Sequence, residues 1–500
     1  MMTSNFFQRL GLIIMMLFTS TYIMADVSLP HVISSNMVIQ ANKPVAIWGW
    51  ATVGEHVTVS FENQTKKAIT NNSGSWKVVF SPFKASNKPT VMTISGTNTI
   101  KLENILVGEV WVCSGQSNME FPLAKGIGWR TGVNNWEQEV AGANYPEIRL
   151  FIVKIKKSEL PQADCEGEWM VCSSEKVAAF SAVGYYFGRY LHQQIHQPVG
   201  MIQTAVGGTH AELWTKMMVM KNDTLYNEVF EEYRRGLKKY EDFKVTENLW
   251  NEKTNHGKDT TLKLPPPVKV SLPSEPACLW NAMVEPLLPL TFKGVIWYQG
   301  ESNDNHAFKY RQVFANMINS WRKEWNQGDF PFYFVQIASH KDKTPLLRDS
   351  QTHVWRTLKN TGMVVAVDAG DSANIHPRNK TIIGERLAYW ALAKDYGFKG
   401  VTFSGPYYKS MKVKGKIIQL SFDYAEKGLV AKDGDLREFE IAGADKQFYP
   451  ATAIIDKNKV IVSAAQVENP VSVRYAWKKF MHPNLYSQQG LPAIPFRTDQ

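Results

Sequence analysis

The stretch "VCSGQSNMEF", residues 112–121, begins as an apolar β-strand and breaks off at Gly115, Ser117 and Asn118. Such an ending predicts a strand-to-helix turn, and the reacting groups of a parallel α/β sheet collect at the carboxyl ends of its strands. A serine on this kind of turn can expose its hydroxyl while its own backbone N–H points at a bound oxyanion. Ser117 could equally be a simple helix cap. The stretch therefore predicts the fold but does not decide the role of the serine.

The region from about 106 to 398 repeats this pattern of apolar strand followed by amphipathic helix. The further apolar runs are "IRLFIV", "VGMIQTAVGG", "GVIWYQGES", "FYFVQIA" and "MVVAVDAG". The helical patterns are "AAFSAVGYYFGRYLHQQI", "YRQVFANMINSWRKEW", "HVWRTLKN" and "IIGERLAYWALAKDYG". Strands without polar alternation that are separated by helices predict a mostly parallel sheet covered on both faces. A charged helix and the segment "LPPPVKVSLPSEP" interrupt the rhythm, which predicts an insertion at about 216–276.

The regions on either side of this α/β domain alternate apolar and polar residues in short runs separated by turns. This alternation is typical of antiparallel strands. We therefore expect an N-terminal β domain over 26–105, the α/β domain over 106–398 and a C-terminal β region over 399–500.

The first 25 residues carry one charge, Arg9, then an apolar run from Leu10 to about Met24, and they end in Ala25. This is the pattern of a cleaved signal peptide, with a single membrane anchor as the alternative. We expect a secreted or periplasmic protein without stable membrane insertion. The formal charge is +10, but lysines and arginines are dispersed, which argues against nucleic-acid binding. A basic surface favours an acidic substrate or a glycan.

Four cysteines are present, and the loop "CEGEWMVC" could close a disulfide between Cys165 and Cys172. Cys113 lies in an apolar strand, which predicts a buried thiol rather than a nucleophile. No set of cysteines and histidines has the spacing of metal ligands, so we expect no structural zinc.

Three further strand ends carry groups that suit acyl transfer. They contribute Gly207 and Gly208 in one loop, Gly300, Glu301, Ser302 and Asn303 in the next, and Asp368, Asp371 and His376 in a third. A nucleophile, amide donors and a histidine beside carboxylates are the components of a hydrolytic site. Each loop alone has an ordinary explanation as a tight turn, a capping residue or a surface histidine, and only their combination predicts catalysis.

The motifs "SGQSNM", "GGTHAELW", "GVIWYQGESN", "IHPRNK" and "GLPAIPFRTD" together resemble those of the sialate O-acetylesterase family of the SGNH-hydrolase superfamily. The resemblance covers nearly the whole chain after the signal peptide. It implies a flavodoxin-like three-layer α/β/α hydrolase domain with flanking β domains. It also implies removal of acetyl groups from sugar hydroxyls without a cofactor or a metal.

The resemblance also assigns roles to residues. Ser117 would be the nucleophile and His376 the general base, while Gly208 and Asn303 would form the oxyanion hole with the Ser117 N–H. The superfamily often has an aspartate three residues before the histidine, and here that position is Ala373. The group that orients His376 is therefore either the Asp371 carboxylate or a main-chain carbonyl near Asn374.

A second Gly-Asp-Ser element, "GDSAN" at 370–374, contains Ser372. We reject Ser372 as the nucleophile because this element belongs on the first core strand, where Ser117 already stands.

The leading substrate is an O-acetylated sialic acid, whose carboxylate would need a cation near the pocket. Arg130 and Arg378 are the candidates because they lie close to motif residues. An esterase for acetylated xylan or another polysaccharide is the alternative enzyme. A non-catalytic glycan-binding protein is the alternative of a different class.

Overall fold

The computed structural model of the protein describes residues 26–258 and 264–499. The predicted signal peptide over 1–25 lies outside the described residues. None of the described helices is both long and apolar enough to cross a bilayer.

The described residues form a mixed α/β structure with additional antiparallel sheets. The strands up to residue 365 are β1 (Val38–Gln40), β2 (Val45–Trp50), β3 (His56–Phe61), β4 (Gln64–Ile69), β5 (Ser75–Phe80), β6 (Ser86–Ser95), β7 (Thr99–Gly115), β8 (Asn144–Ile152), β9 (Trp169–Ser173), β10 (Val199–Ala205), β11 (Gly294–Tyr298), β12 (Phe332–Gln336) and β13 (Thr361–Val365). The α-helices are α1 (Ser117–Glu120), α2 (Trp136–Ala141), α3 (Ala182–Ile195), α4 (Met217–Lys221), α5 (Asn227–Lys253), α6 (Tyr310–Trp325), α7 (Pro345–Thr357) and α8 (Thr381–Lys394).

A central sheet with the strand order β13-β12-β11-β7-β10-β8-β9 carries the site. Its strands are parallel except for β9, which runs antiparallel to β8. Every residue of β10, β11 and β12 is buried, as expected for strands covered on both faces. The apolar runs of the sequence therefore correspond to the strands of this sheet.

One strand, β7, runs through the predicted boundary at 105/106. Its first half pairs antiparallel with β6 and its middle pairs with β1, while its last seven residues pair with β10 and β11. The N-terminal strands β3, β4 and β6 thus extend the hydrogen-bonded network of the central sheet. Strands β2 and β5 form a separate antiparallel pair.

The C-terminal region is antiparallel, as its alternating pattern predicts. Its strands are β14 (Tyr407–Lys414), β15 (Ile417–Asp423), β16 (Leu429–Ala431), β17 (Phe439–Ala442), β18 (Phe448–Pro450), β19 (Thr452–Asp456), β20 (Lys459–Ser463), β21 (Ser472–Tyr475), β22 (Leu485–Ser487) and β23 (Phe496–Arg497). They form sheets in the orders β14-β15-β20-β19, β18-β17-β21-β23 and β16-β22. The Tyr486 hydroxyl donates to Asp368 at 3.2 Å, which joins this region to the loop after β13.

The insertion contains α5, a helix of 27 residues of which Phe243 alone is buried. Its polar surface explains why the sequence shows it as a break in the core pattern. In the body, α6 occupies Tyr310–Trp325, the stretch that the sequence predicts, while α7 begins at Pro345, eight residues before the predicted start.

The disulfide that the sequence allows between Cys165 and Cys172 is not formed, because all four cysteines are free and buried. Strand β9 pairs with β8, and Lys154 donates its backbone N–H to the carbonyl of Glu166. The segment therefore runs extended beside β8 instead of closing a loop, and an extended chain separates its residues by about 3.3 Å each. Burial raises the pKa of both thiols to about 12.

Candidate active site

The carboxyl ends of neighbouring parallel strands bring the predicted loops to one edge of the central sheet. Gly115, the last residue of β7, is in register with Ala205 of β10 and with Tyr298 of β11. The turn at Ser117 therefore lies between the loop that contains Gly208 and the loop that contains Glu301. The loop after β13 supplies His376.

Gly115 is required by the close approach of β11. Its φ is 137°, and a Cβ on it would lie 2.2 Å from the carbonyl oxygen of Tyr298. The next residue, Gln116, donates its N–H to that carbonyl at 2.9 Å. The Gln116 side-chain oxygen accepts from the N–H groups of Gly300 and Ser302, both at 3.3 Å. The backbone and the side chain of Gln116 thus both fix the turn that presents Ser117 to the end of β11 and the loop after it.

The Oγ of Ser117 lies 2.8 Å from Nε2 of His376, which is hydrogen-bond distance. Both groups line a cavity of about 610 Å³. The imidazole packs against Trp129 at 4.6 Å between ring centroids and against Phe121 at 6.4 Å. The two aromatic rings hold the imidazole in position beside the hydroxyl.

Burial lowers the pKa of His376 to about 4, and the charges of Lys380 and His340 act in the same direction. The imidazole is therefore neutral at pH 7. A neutral imidazole within hydrogen-bond distance of a serine hydroxyl is able to accept its proton.

Asp371 is exposed and does not contact the imidazole. Its Oδ1 accepts from the N–H groups of Ala373 at 2.8 Å and of Asn374 at 3.3 Å. The Asn374 side chain in turn accepts the backbone N–H of His376 at 2.9 Å. Within the described residues, Nδ1 of His376 has neither a carboxylate nor a carbonyl as a hydrogen-bond partner. The structure thus uses Asp371 to shape the loop and does not bring it to the histidine ring.

The backbone N–H groups of Ser117 and Gly208 have no acceptor among the described residues. The N–H of Gly207 is instead bound by the Glu120 carboxylate at 2.5 Å. Gly208 has a φ of 71°, a Cβ added to it would have nothing within 4 Å, and it lines the cavity. These two N–H groups are available to a developing oxyanion.

Asn303 lies behind this cavity rather than in its lining. Its Nδ2 donates to Glu212 at 2.9 Å, and its Oδ1 accepts from Ala211 N–H at 3.0 Å and from Gln299 at 2.7 Å. It borders a neighbouring cleft of about 430 Å³ that shares Gly208 with the Ser117 cavity. The structure therefore commits the Asn303 amide to internal hydrogen bonds.

Of the two predicted arginines, only Arg130 lines the Ser117 cavity. It is paired with Glu120 and stacks on Trp129 at 4.8 Å. Arg378 points away and donates to the carbonyls of Gly132 and Val133, each at 2.9 Å. A second cation, Lys343, also lines the cavity.

Among the described residues, one group brings three possible metal ligands within 4.8 Å of one another, namely Glu228, Glu232 and His306. Glu228 in this group is already paired with Lys309. None of these side chains lines the Ser117 cavity.

A family described as "Carbohydrate esterase, sialic acid-specific acetylesterase" matches residues 107–252 and 279–393. The sialate O-acetylesterase of Mus musculus is 31% identical over 93% of this chain and 93% of its own. That of Homo sapiens is 29% identical over 93% of this chain and 91% of its own.

The chain belongs to this carbohydrate esterase family. A crystal structure of a carbohydrate acetylesterase from Xanthomonas citri is also similar, with a TM-score of 0.80 and 33% identity over 95% of this chain and 100% of that one. Family membership makes the protein an ester hydrolase and implies an acetylated carbohydrate as substrate. This favours an enzyme over a non-catalytic glycan-binding protein.

Sequence reasoning gave no role to three residues of the esterase site. They are Lys343 and Glu301 in the cavity wall, and the fully buried Lys380. Glu301 and Lys380 both lie within motifs that the sequence displays, "QGESN" and "IHPRNK". The motifs located them, but nothing in the local pattern indicates that these charged side chains are buried.

Proposed function

We propose that the protein removes O-acetyl groups from sugars through an acetyl-serine intermediate on Ser117, with O-acetylated sialic acid as its leading substrate. The observation that carries the mechanism is the 2.8 Å distance between Ser117 Oγ and His376 Nε2 inside a cavity of about 610 Å³. Because the imidazole is neutral, it can act as the base.

In the proposed reaction, His376 Nε2 takes the hydroxyl proton as Ser117 Oγ forms a bond to the acetyl carbonyl carbon. The negative charge on the carbonyl oxygen is stabilised by the N–H groups of Ser117 and Gly208. The ester C–O bond then breaks, and the proton passes from His376 to the sugar oxygen. Water, deprotonated by the same imidazole, attacks the acetyl-serine, and acetate leaves as Oγ regains its proton.

For the third catalytic group, the hydrogen bonds of the His376 loop support a Ser–His pair more than a triad with Asp371. The Asp371 carboxylate is occupied by two backbone N–H groups of its own loop. We assign no third oxyanion donor, because the Asn303 amide donates to Glu212. Gln116 lines the cavity, and its Nε2 has no acceptor among the described residues, so it is an alternative donor.

Two observations support sialic acid as the sugar. The matched family is described as sialic acid-specific, and the cavity wall contains Arg130 and Lys343, cations suited to a carboxylate. Acetylated xylan, a neutral polymer, would gain nothing from either cation.

Acetate release from O-acetylated sialic acid and from acetylated xylan, measured at equal ester concentration, tests this choice. We expect a higher kcat/KM on the sialic acid ester. A preference for xylan would overturn the sugar assignment, and absence of hydrolysis of any ester by wild-type protein would overturn the mechanism.

We also propose that the protein is exported, with a mature N-terminus at or near Asp26, and that its central sheet and helices form the three-layer arrangement of the superfamily. The pattern of residues 1–25 supports export. N-terminal sequencing of the native product tests it, and an uncleaved chain in the membrane fraction would indicate an anchor instead.

A further inference from the structure

The side chain of Asn118, the residue after Ser117, makes hydrogen bonds to three other segments of the site. Its side chain is fully buried. Its Oδ1 accepts a hydrogen bond from the ammonium of Lys380, while its Nδ2 donates to Glu301 Oε1 at 2.7 Å and to the carbonyl of Ile375 at 3.0 Å. Ile375 precedes His376, so this amide spans directly from the nucleophile turn to the loop of the base.

Lys380, at the residue before α8, is a fully buried cation that the proposed reaction does not use. Its ammonium lies 4.9 Å from the centre of the Phe121 ring and 5.3 Å from that of Tyr298. Burying an ammonium is costly unless neighbours compensate it. The Glu301 carboxylate provides the opposite charge, yet burial still lowers the pKa of Lys380 to about 7.

We propose that Lys380 is a positioning residue for the Ser117–His376 pair, because its ammonium orients the Asn118 amide that ties the nucleophile turn to the loop of the base. This role rests on the proposed serine mechanism. A primary amide presents similar shapes in its two flipped orientations, and its donors and acceptor decide which one is kept. Protonated Lys380 can only donate, so in this form it fixes Oδ1 and leaves both Nδ2 hydrogens for Glu301 and Ile375.

The consequence is geometric. If the amide flips, Oδ1 faces the Ile375 carbonyl and the tie becomes a repulsion, which displaces the loop of the base. A displacement of about 1 Å at reacting atoms can cost about 10²-fold in rate. Substrate binding, which occurs in the cavity on the other side of Ser117, should change little.

Lys380 also affects the proton equilibrium of His376, because a nearby positive charge disfavours the imidazolium. The other charged or titratable groups around the imidazole come from several elements. They are His340 from the loop after β12, and Glu120, Arg130, His210, Glu301, Asp304 and Lys343 in the cavity wall. Removal of the Lys380 charge alone should therefore raise the pKa of the imidazole.

A double-mutant cycle on 4-nitrophenyl acetate tests the positioning role, using Lys380→Met, Asn118→Ala and the double variant. We expect each single change to lower kcat by about tenfold or more and to leave KM within about threefold. If Lys380 acts through Asn118, the double variant falls no more than about threefold below Asn118→Ala. Losses that multiply would show that the two residues act independently and would overturn the proposal.

Arg386→Met is the matched control, because Arg386 is a second buried cation, on α8, and its partners are Asp368 and the carbonyl of Val365 instead of Asn118. We expect its kcat to stay within about threefold of wild type and the acid limb of its kcat/KM profile to stay in place. The acid limb of Lys380→Met should move to higher pH by about half a unit or more. An equal loss of kcat in both variants, or an acid limb that does not move in Lys380→Met, would show that Lys380 has only a structural role and would overturn the proposal.

If Lys380→Met does not fold, Asn118→Asp decides the question. This isosteric change keeps an acceptor for Lys380 but removes both donors, so kcat should fall by about tenfold or more, and wild-type kcat would refute the tie. Ser117→Ala separates this question from the mechanism. Full activity in Ser117→Ala would reject the nucleophile, whereas a Ser117-dependent activity with an additive cycle would reject the positioning role alone.

Discussion

The carboxylate of Glu120 accepts the backbone N–H of Gly207 at 2.5 Å, so the N–H of the following residue, Gly208, is the one that remains for a ligand. The two glycines that follow β10 have separate reasons to be glycine, since a Cβ on Gly207 would lie 3.2 Å from the Glu120 carboxylate and Gly208 has a φ of 71°. The first packs its N–H onto a carboxylate that also pairs with Arg130. The second lines the cavity, and its N–H has no acceptor among the described residues.

Gly208→Ala should lower kcat by about tenfold or more. An alanine at a φ of 71° is strained, and relief of the strain turns the N–H away from the oxyanion. Gly397→Ala is the matched control, since Gly397 has a φ of 69°, equally open space and no place in the cavity. Both variants should lose about 1 kcal/mol of stability, but only Gly208→Ala should lose activity. Equal kcat values would remove Gly208 from the oxyanion hole.

Ser117→Ala should abolish hydrolysis of 4-nitrophenyl acetate while the thermal unfolding midpoint stays within a few degrees, because the change removes a hydroxyl and little packing. Ser372→Ala, which alters the second Gly-Asp-Ser element, should keep wild-type kcat. The two variants are compared by kcat and by mass spectrometry of the acetylated protein after rapid quenching. More than a few per cent of wild-type kcat in folded Ser117→Ala would contradict the assignment of the nucleophile.

The kcat/KM profile should fall on its acid side with a midpoint near pH 4, because the free enzyme needs a neutral His376 and the pKa of that imidazole is about 4. An unperturbed histidine would place the midpoint near 6.5. The lowered pKa of His376 also makes the free energy of unfolding depend on pH. Between these two pH values the unfolded chain binds the proton more tightly, so the contribution of His376 to stability is present above about 6.5 and is lost as the pH falls towards 4.

Rates measured between pH 3.5 and 8 on a neutral ester check the catalytic part of this prediction. Urea unfolding of wild type and of His376→Gln over the same range checks the stability part, since the variant should show a smaller dependence on pH. A rate midpoint at 6 or above would mean that the imidazole is solvated in solution.

Arg130→Gln and Lys343→Gln should raise KM for O-acetylated sialic acid by about three- to tenfold and leave kcat/KM for 4-nitrophenyl acetate within about twofold, because only the sugar carries a carboxylate. Arg378→Gln is the control, since its guanidinium binds the carbonyls of Gly132 and Val133 outside the cavity. If Arg378→Gln alone raises KM, the sugar lies on a different surface. If none of the three variants raises KM, neither Arg130 nor Lys343 binds the carboxylate of the sugar.

The sequence predicts the central sheet well because strands that are buried on both faces must be continuous apolar runs. Helix α6 is predicted over Tyr310–Trp325, since both its apolar face and its ends are local properties. The start of α7 was missed even though the Thr344 side chain caps the helix and Pro345 occupies its first turn. The boundary at 105/106 marks a change in pattern only, and β7 continues through it because a strand can be half exposed at one end and buried at the other.

For the site, Ser117, Gly208 and His376 could be located because each follows a strand whose carboxyl end reaches the same edge. Lys380 could not, since lysine is almost never fully buried and its burial depends on Phe121 and on other segments distant in sequence. The same limit applies to Asp371. Proximity in sequence to His376 placed it on the right loop, but only the backbone conformation of that loop determines where the carboxylate points.

The comparison of Asp371→Asn with Asn303→Ala distinguishes a triad from a Ser–His pair. If the Asp371 carboxylate oriented the imidazole during catalysis, its amide would favour the wrong tautomer, and the precedent for that change is a loss of about 10⁴ in kcat. The carboxylate instead accepts from Ala373 and Asn374, so we expect a loss of about tenfold or less. Asn303→Ala is the comparison, because deletion of one oxyanion donor typically costs about 10² to 10³ in kcat, and a smaller loss would exclude its amide from the oxyanion hole.

The hydrogen bonds of Asn303 make this second variant informative in its own right. Its Nδ2 serves Glu212 and its Oδ1 serves Ala211 and Gln299, so truncation also leaves a buried carboxylate without its donor. Gln299→Leu removes one of these hydrogen bonds without touching the asparagine, and it controls for this loosening. We expect Asn303→Ala to lose at least tenfold more kcat than Gln299→Leu if the amide reaches the oxyanion, and the same amount if it is structural. An Asp371→Asn enzyme that loses about 10⁴ in kcat would restore the triad, because a change of loop shape alone should cost far less.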